Sequence, residues 1–116
     1  MAIKSRNNCL VFGGEPTVNV TGNGKGGRNQ ELVLRLYEKL KSSKYDFTIA
    51  SIGTDGIDGN TKFAGSLFST EYKYDGKPYL KNNDSSSFFK KFGGLIEIGV
   101  TQNNVNDIGV IIRHNL

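Results

Sequence analysis

The chain has 116 residues, of which 36% are hydrophobic and 22% are charged, and its formal net charge is +4 at pH 7. A chain of this length and composition forms one soluble domain with one modest core, which excludes a disordered or membrane-spanning protein. Its lysines and arginines are spread over the whole length, so we expect no nucleic-acid partner and no membrane partner. A site for a small anion is compatible with this charge.

The N-terminus is polar and lacks the apolar stretch of a secretory signal, so we expect a cytoplasmic protein. Residues 1–8 are predicted to be an N-terminal tail, followed by a single domain over residues 9–116. Cys9 is the only cysteine and His114 the only histidine, which excludes an internal disulfide and a Cys/His zinc site.

The first predicted elements are a β-hairpin and a helix. CLVF at residues 9–12 and the alternating TVNVT at residues 17–21 are predicted to pair through a glycine turn. A helix is predicted over residues 30–41, where apolar and charged residues fall on opposite faces, with Asn29 as its N-cap. FTIASI, residues 47–52, is almost continuously apolar and is predicted to be a central strand.

The second half begins with a short helix predicted after Asn60, and residues 69–80 are expected to be irregular or an edge hairpin. Asp84 is the expected N-cap of the next helix, and residues 95–99 and 108–113 are the last predicted strands. This order predicts an α/β domain in which helices pack on a mixed β-sheet.

The loop GNGKGGRNQE, residues 22–31, places glycines, a lysine and an arginine ahead of the predicted helix. It is not a Rossmann fingerprint, because the TVNVT strand before it alternates, whereas a Rossmann strand is buried and parallel. It is not a Walker A loop, because Lys25 is not followed by Ser or Thr. Two interpretations remain open: a mobile connection, or an anion-binding loop at a helix N-terminus to which Arg28 adds a donor. The residues of that anion-binding loop are Gly24, Lys25, Gly26 and Gly27.

Two further polar segments follow predicted strands. In GTDGIDG, residues 53–59, Asp55 and Asp58 are suited to hold Mg²⁺ or to accept hydrogen bonds from a sugar-acid hydroxyl. The same pattern is equally typical of two Asx turns with glycines at positive φ. The amide-rich TQNNVND, residues 101–107, is either a run of Asx turns or the hydrogen-bonding rim of a polar pocket.

Taken together, five segments resemble the C-terminal domain of glycerate 2-kinases, known as the MOFRL domain. In chain order they are GGEPTV, GNGKGGRNQE, GTDGIDG, NDSSSFF and NNVND, and they cover the chain from about Cys9 to Ile112. The resemblance implies a single three-layer α/β/α domain with a mixed β-sheet, joined in cis or in trans to a larger Rossmann-like N-terminal kinase domain. It also implies an active site in the cleft between the two domains, where the γ-phosphoryl group of ATP is transferred to the 2-hydroxyl of glycerate.

By the same resemblance, Arg28 is the catalytic position, which contacts the substrate carboxylate or stabilises the transferring phosphoryl group. The residues implied to bind substrate beside it are Asn29, Gln30, Asp55, Asp58, Asn104 and Asp107. ATP and Mg²⁺ are the implied cofactors, with Asp55 and Asp58 as candidate metal ligands, and we expect neither cofactor to bind this chain alone. The chain departs from the family pattern at four positions: Lys62 stands for the usual Asp, Ser86 for the usual Tyr, Val100 for the usual Pro and Asn103 for the usual Thr.

Two functions are consistent with these residues. The first is the C-terminal lobe of an ATP-dependent glycerate 2-kinase, inactive without its partner lobe. The alternative is a stand-alone, non-catalytic module that binds a small anion or a protein partner, which the altered positions favour. A third function, a non-catalytic β-rich interaction domain, would leave the glycine-arginine loop unexplained.

Overall fold

A computed structural model of the chain describes residues 2–6, 8–14, 22–102 and 106–114. In these ranges it contains six strands and three helices: β1 (Ala2–Arg6), β2 (Cys9–Gly14), α1 (Arg28–Leu40), β3 (Phe47–Gly53), β4 (Gly65–Ser69), α2 (Lys77–Lys81), α3 (Ser85–Phe92), β5 (Leu95–Ile96) and β6 (Asp107–Arg113). Each of these helices is too short or too polar to cross a membrane.

The strands form one antiparallel sheet in the order β1-β2-β6-β3-β4-β5. β3 pairs with β6 on one edge and with β4 on the other, which confirms the predicted central strand. The register places Gly53, the last residue of β3, opposite Asp107, the first residue of β6. Residues that follow β3 therefore lie beside residues that precede β6.

The core lies between the helices and one face of this sheet. Its buried side chains come from α1, α3 and the two strands below them: Val33, Leu34, Tyr37, Ile49, Phe68, Phe88 and Phe89. The ring of Phe68 packs edge-on against Tyr37, with centroids 5.0 Å apart, and against Phe88 at 5.3 Å. Such edge-to-face contacts add to the burial of the rings themselves.

The α/β class is confirmed, but the layers differ from those expected. The sheet is antiparallel rather than mixed, because β1 and β2 are joined by a short connection and no helix intervenes between β3 and β4. All three described helices contribute side chains to the core on the Ile49 face. The described residues therefore form two layers instead of the expected three.

Three local expectations also differ from the structure. The segment after Asn60, expected to start a helix, leads into β4, where Gly65 lies so close to β3 that a Cβ would overlap the Ser51 carbonyl oxygen. Part of the stretch expected to be irregular forms α2. Residues 1–8, expected to be a tail, include β1, which pairs with β2. The predicted strand at residues 17–21 lies outside the described residues.

The face of the sheet opposite the core is apolar and exposed. Val11, Leu67, Ile108 and Ile112, which we call the open sheet face, are each between 41% and 48% exposed. The register places Val11 and Leu67 in one cross-strand row through β6 and β3, so the four side chains share one face. A contiguous exposed apolar surface of this kind is typical of an interaction site.

Neighbouring residues of β4 should differ sharply in their contribution to stability. Phe68→Ala should lower the free energy of unfolding by about 3–5 kcal/mol, because it opens a cavity among buried aromatic rings. Leu67→Ala, on the open sheet face of the same strand, should lower it by about 1 kcal/mol or less. Denaturant unfolding of the two variants measures both values, and equal losses would contradict the assignment of the faces.

Candidate functional site

The N-terminus of α1 is capped by a carboxylate from a distant part of the chain. Asp58 Oδ1 accepts the backbone N–H of Asn29 at 2.9 Å, and Oδ2 accepts that of Gln30 at 2.8 Å. The Asn29 side-chain amide donates a further hydrogen bond to Oδ1 at 3.2 Å. First-turn N–H groups have no partner within the helix, so the carboxylate satisfies them and complements the positive end of the helix dipole.

This cap corrects two expectations for the start of α1. The helix begins at Arg28 with Gly27 as its N-cap, so Asn29 lies inside the first turn rather than capping it. Asn29 is buried and accepts a hydrogen bond from the Ser51 hydroxyl at 2.6 Å. Gln30 is also buried and donates to the Thr61 hydroxyl at 3.0 Å. Their burial argues against direct contact of Asn29 or Gln30 with a substrate; both fasten α1 to its neighbours.

The backbone of the glycine-rich loop is used within the protein. Within the predicted anion-binding stretch, three N–H groups donate to acceptors from two other segments: Gly24 to the Asn82 carbonyl at 2.9 Å, Lys25 to Asp84 at 2.9 Å, and Gly26 to Asn60 at 3.1 Å. A phosphate cradle needs such N–H groups to point at the ligand. The geometry therefore argues against a backbone cradle in this loop.

The glycines of this loop allow close packing of protein against protein. A Cβ at Gly24 would overlap Asp84, and a Cβ at Gly27 would overlap Asp58. The loop is thus wedged between the N-terminus of α3 and the GTDGIDG segment. Both glycines are required by this close approach. The loop is therefore neither a mobile connection nor a backbone anion cradle, but a segment packed against two others.

Arg28, by contrast, presents its side chain at the surface. Its Nε donates to Asp107 Oδ2 at 2.5 Å and its Nη2 donates to Oδ1 at 3.1 Å, which is a bidentate pair. Asp107 is only 4% exposed, whereas the Arg28 side chain is 38% exposed. A buried carboxylate therefore fixes the plane of a guanidinium that remains in contact with solvent. Such a fixed positive charge is suited to bind a carboxylate or phosphoryl oxygen.

Asp55 lies beside this pair. The Oδ1 atoms of Asp55 and Asp107 are 3.3 Å and 3.4 Å from the position that a Cβ would occupy at Gly53. Asp55 Oδ1 also accepts the N–H of Ile57 at 3.0 Å, which is one of the predicted Asx turns. The structure therefore brings together three of the predicted site residues, Arg28, Asp55 and Asp107, which we call the Arg28 cluster.

Asp58 is not suited to be a metal ligand. Both of its oxygens accept hydrogen bonds, and a cation there would face the positive end of α1. Burial raises the pKa of the Asp58 carboxyl above its ordinary value of 3.8, although hydrogen bonds from Asn29 and Gln30 partly oppose the shift. In the ranges that the structure describes, no three His, Cys, Asp or Glu side chains are grouped to hold a metal. Asp55 remains a candidate, since Mg²⁺ often takes only one or two carboxylates in addition to phosphates.

The amide-rich loop is only partly described, and Asn104 lies outside the described residues. Thr101, at its start, donates its hydroxyl to the Thr54 carbonyl at 2.6 Å and its N–H to the Asp55 carbonyl at 3.0 Å. This loop is therefore fastened to the residues that follow β3. The role of Asn104 in binding substrate stays a prediction.

Sequence reasoning missed two residues of this network, Ser51 and Thr61. Ser51 is a polar residue at a helix-facing position of β3, between the buried Ile49 and Gly53. A polar side chain at such a position needs a buried hydrogen-bond partner, so the sequence pattern alone could have predicted that Ser51 belongs to a buried network. Thr61 accepts a hydrogen bond from the Gln30 side chain and donates one to the Asp58 carbonyl at 2.7 Å. No local sequence pattern predicts these contacts.

Comparison with known proteins assigns the family. The sequence model of the MOFRL family matches residues 8–107. The chain belongs to the MOFRL family. This confirms the resemblance carried by the five motifs, and the Arg28 cluster is built from three of them.

Named relatives of this MOFRL chain include kinases. It is 46% identical to the glycerate 2-kinase of Picrophilus torridus over 107 residues, which covers 91% of this chain and 26% of that protein. It is 46% identical to the D-glycerate 2-kinase of Thermotoga maritima over 113 residues, which covers 90% of this chain and 27% of that protein. The solved structure of a glycerate kinase from Thermotoga maritima superposes with a TM-score of 0.80 at 42% identity, over 90% of this chain and 27% of the other. The MOFRL chain thus spans about a quarter of the length of these relatives.

Removing one acceptor of the cap should destabilise the domain. Asp58→Asn replaces an oxygen by an NH₂ group that faces the N–H groups of α1, so the free energy of unfolding should fall by about 1–3 kcal/mol. Asp75→Asn, at an exposed carboxylate, is the matched control and should change it by less than about 0.5 kcal/mol. Equal effects of the two substitutions in chemical denaturation would contradict the capping role.

The same carboxyl gives a pH dependence of known sign. Because its pKa is higher in the folded chain than the unfolded value of 3.8, the folded state binds this proton more tightly. Its contribution to the free energy of unfolding is therefore fully present below the unfolded pKa and is lost as the pH rises through the folded pKa. The stability difference between wild type and Asp58→Asn should grow on acidification, and an NMR titration midpoint below 3.8 would contradict the shift.

Proposed function

We propose that this MOFRL domain is the C-terminal lobe of an ATP-dependent glycerate 2-kinase, in which it positions glycerate and the transferring phosphoryl group. The observation that carries the proposal is the bidentate pair of Arg28 and Asp107. Asp107 holds the Arg28 guanidinium in a fixed plane at the surface, beside the end of β3 and the start of β6. The names of the relatives support the same reaction, because they include a glycerate 2-kinase and a D-glycerate 2-kinase.

Phosphoryl transfer depends more on positioning and positive electrostatics than on covalent chemistry by the protein. In the proposed site, the guanidinium of Arg28 binds the glycerate carboxylate or an oxygen of the transferring group. Asp107 is a positioning residue, since it keeps that guanidinium from turning away. Asp55 would accept a hydrogen bond from a glycerate hydroxyl or would supply one oxygen ligand to a bound Mg²⁺. Bound Mg²⁺ would neutralise phosphate charge.

The reaction needs the rest of a kinase, in cis or in trans. This chain corresponds to about a quarter of each relative, so about three-quarters of a complete kinase lies outside the matched segment. The open sheet face is an apolar surface suited to pack against such a lobe. We propose that the Rossmann-like N-terminal kinase domain covers this face and extends past the end of β3 and the start of β6, where it would form a second cleft wall beside the Arg28 cluster.

Activity should depend on Arg28 and not on its neighbour Arg35. We expect no ATP-dependent formation of 2-phosphoglycerate by the 116-residue chain alone. When the chain is fused to the remaining part of the Thermotoga maritima D-glycerate 2-kinase, Arg28→Ala should lower kcat/KM by about 10²–10³-fold, because it removes a fixed positive charge. Arg35→Ala, an exposed arginine of the same helix, should change it by less than about twofold.

Each result of this assay has a separate meaning. Full activity of the Arg28→Ala fusion would contradict the role of Arg28, and robust turnover by the isolated chain would contradict the lobe. A folded fusion that binds 2-phosphoglycerate through Arg28 but never turns over would favour the non-catalytic module.

The open sheet face should be required for association of the two lobes. Leu67→Lys places a charge on the proposed interface, so it should weaken binding of the separately purified kinase domain at least about tenfold. Ile98→Lys, at an equally exposed apolar residue outside the sheet, is the matched control. Calorimetry gives both affinities, and an unchanged affinity for Leu67→Lys would place the interface elsewhere.

A further inference from the structure

A cavity of about 210 Å³ lies between the glycine-rich loop, the segment after GTDGIDG, and α3. Its walls are mostly polar or basic and consist of Lys25, Asn60, Thr61, Lys62, Phe63, Ser86 and Lys90. No residue of the Arg28 cluster lines it. We call this cavity the lysine pocket.

Three ammonium groups from three segments of the chain give the lysine pocket a positive charge. The side chain of Lys62 is 3.5 Å from Glu97, and both are largely exposed, so this ion pair offsets little of the charge. Lys25 and Lys90 take part in no ion pair among the residues that the structure describes. Lysine binds phosphate as a flexible point charge, and three lysines that line one cavity favour a ligand of high negative charge.

The wall of the pocket also contains a buried hydroxyl without a partner. Ser86 is 1% exposed, and its Oγ has no hydrogen-bond partner among the described residues. Its backbone N–H is already used, since it donates to the Lys25 carbonyl at 2.9 Å. Buried polar groups are normally hydrogen-bonded, so an unpartnered hydroxyl in the wall of a basic cavity points to a ligand oxygen that accepts from it.

We propose that the lysine pocket binds the phosphoryl group of a small molecule, either inorganic phosphate or a phosphorylated sugar acid. The lysines balance the charge of the phosphoryl group, and the Ser86 hydroxyl donates to one of its oxygens. The cavity is smaller than the roughly 300–1,000 Å³ of pockets for drug-sized ligands, which favours a small anion over a nucleotide. This site goes beyond the proposed kinase function, because it uses none of the groups assigned to catalysis.

The test is an NMR titration of the ¹⁵N-labelled chain with inorganic phosphate and, separately, with 2-phosphoglycerate, at constant ionic strength. We expect saturable shifts of the Lys62 and Ser86 amide signals, and the tighter of the two ligands identifies the source of the phosphoryl group. Lys62→Glu should raise the Kd at least tenfold, and Ser86→Ala at least threefold. Lys90→Gln, a second variant at an exposed side chain, should also weaken binding.

Two controls separate this site from its alternatives. Lys39→Glu makes the same charge change at an exposed lysine of α1 and should leave the Kd within twofold. Equal weakening by Lys39→Glu and Lys62→Glu, or no saturable binding of either ligand, would overturn the proposal. Arg28→Gln should leave the shifts that inorganic phosphate causes at the Lys62 and Ser86 signals intact, because Arg28 does not line the lysine pocket. Loss of phosphate binding in Arg28→Gln but not in Lys62→Glu would show that the anion binds at the Arg28 cluster. That result would overturn the proposed lysine pocket and leave the kinase proposal unaffected.

Discussion

The carboxylate of Asp58, buried against the first turn of α1, is the interaction on which the site depends. It accepts the N–H groups of Asn29 and Gln30 and so fixes where α1 begins. Arg28, one residue earlier, is thereby set at the helix start within reach of Asp107. The GTDGIDG and GGRNQE motifs are thus two halves of one structural unit, in which the first supplies the cap for the second.

The side chains of the RNQE segment diverge from this cap to four different partners. Arg28 reaches Asp107 at the start of β6, and Asn29 reaches Ser51 in β3. Gln30 contacts Thr61, whereas Glu31 is buried and accepts a hydrogen bond from the Asn83 side chain at 2.7 Å. Because each side chain joins α1 to a different segment, three of the four are structural, and only Arg28 faces outward. Buried polar networks of this kind hold a surface residue in a defined geometry.

Much of the fold was predictable because apolar patterns are local. The helix-period pattern after Asn29 predicted α1, and the apolar run at residues 47–52 predicted the central position of β3. Strand direction and the number of layers depend on contacts between distant residues, so the mixed sheet was wrong and the described residues do not include the expected third layer. The segment that forms β4 was expected to be helical. The local sequence does not reveal the close approach of Gly65 to β3, on which the pairing of this strand depends.

The site was predictable in part. Family resemblance named Arg28, Asp55 and Asp107, and the structure brings them together across the ends of β3, β6 and α1. The role of Asp58 could not be predicted, because an aspartate in a glycine-rich turn has the same local pattern whether it binds a cation or caps a helix. Burial and the two N–H groups in front of it decide between these roles.

The most direct test of the account is to measure NMR scalar couplings across the hydrogen bonds between the backbone amides of Asn29 and Gln30 and the Asp58 carboxylate. The account predicts that both couplings are present and persist in saturating phosphate, or in ATP, Mg²⁺ and glycerate. Absence of both couplings in the free chain, or their loss on adding phosphate, would contradict the cap assigned to Asp58.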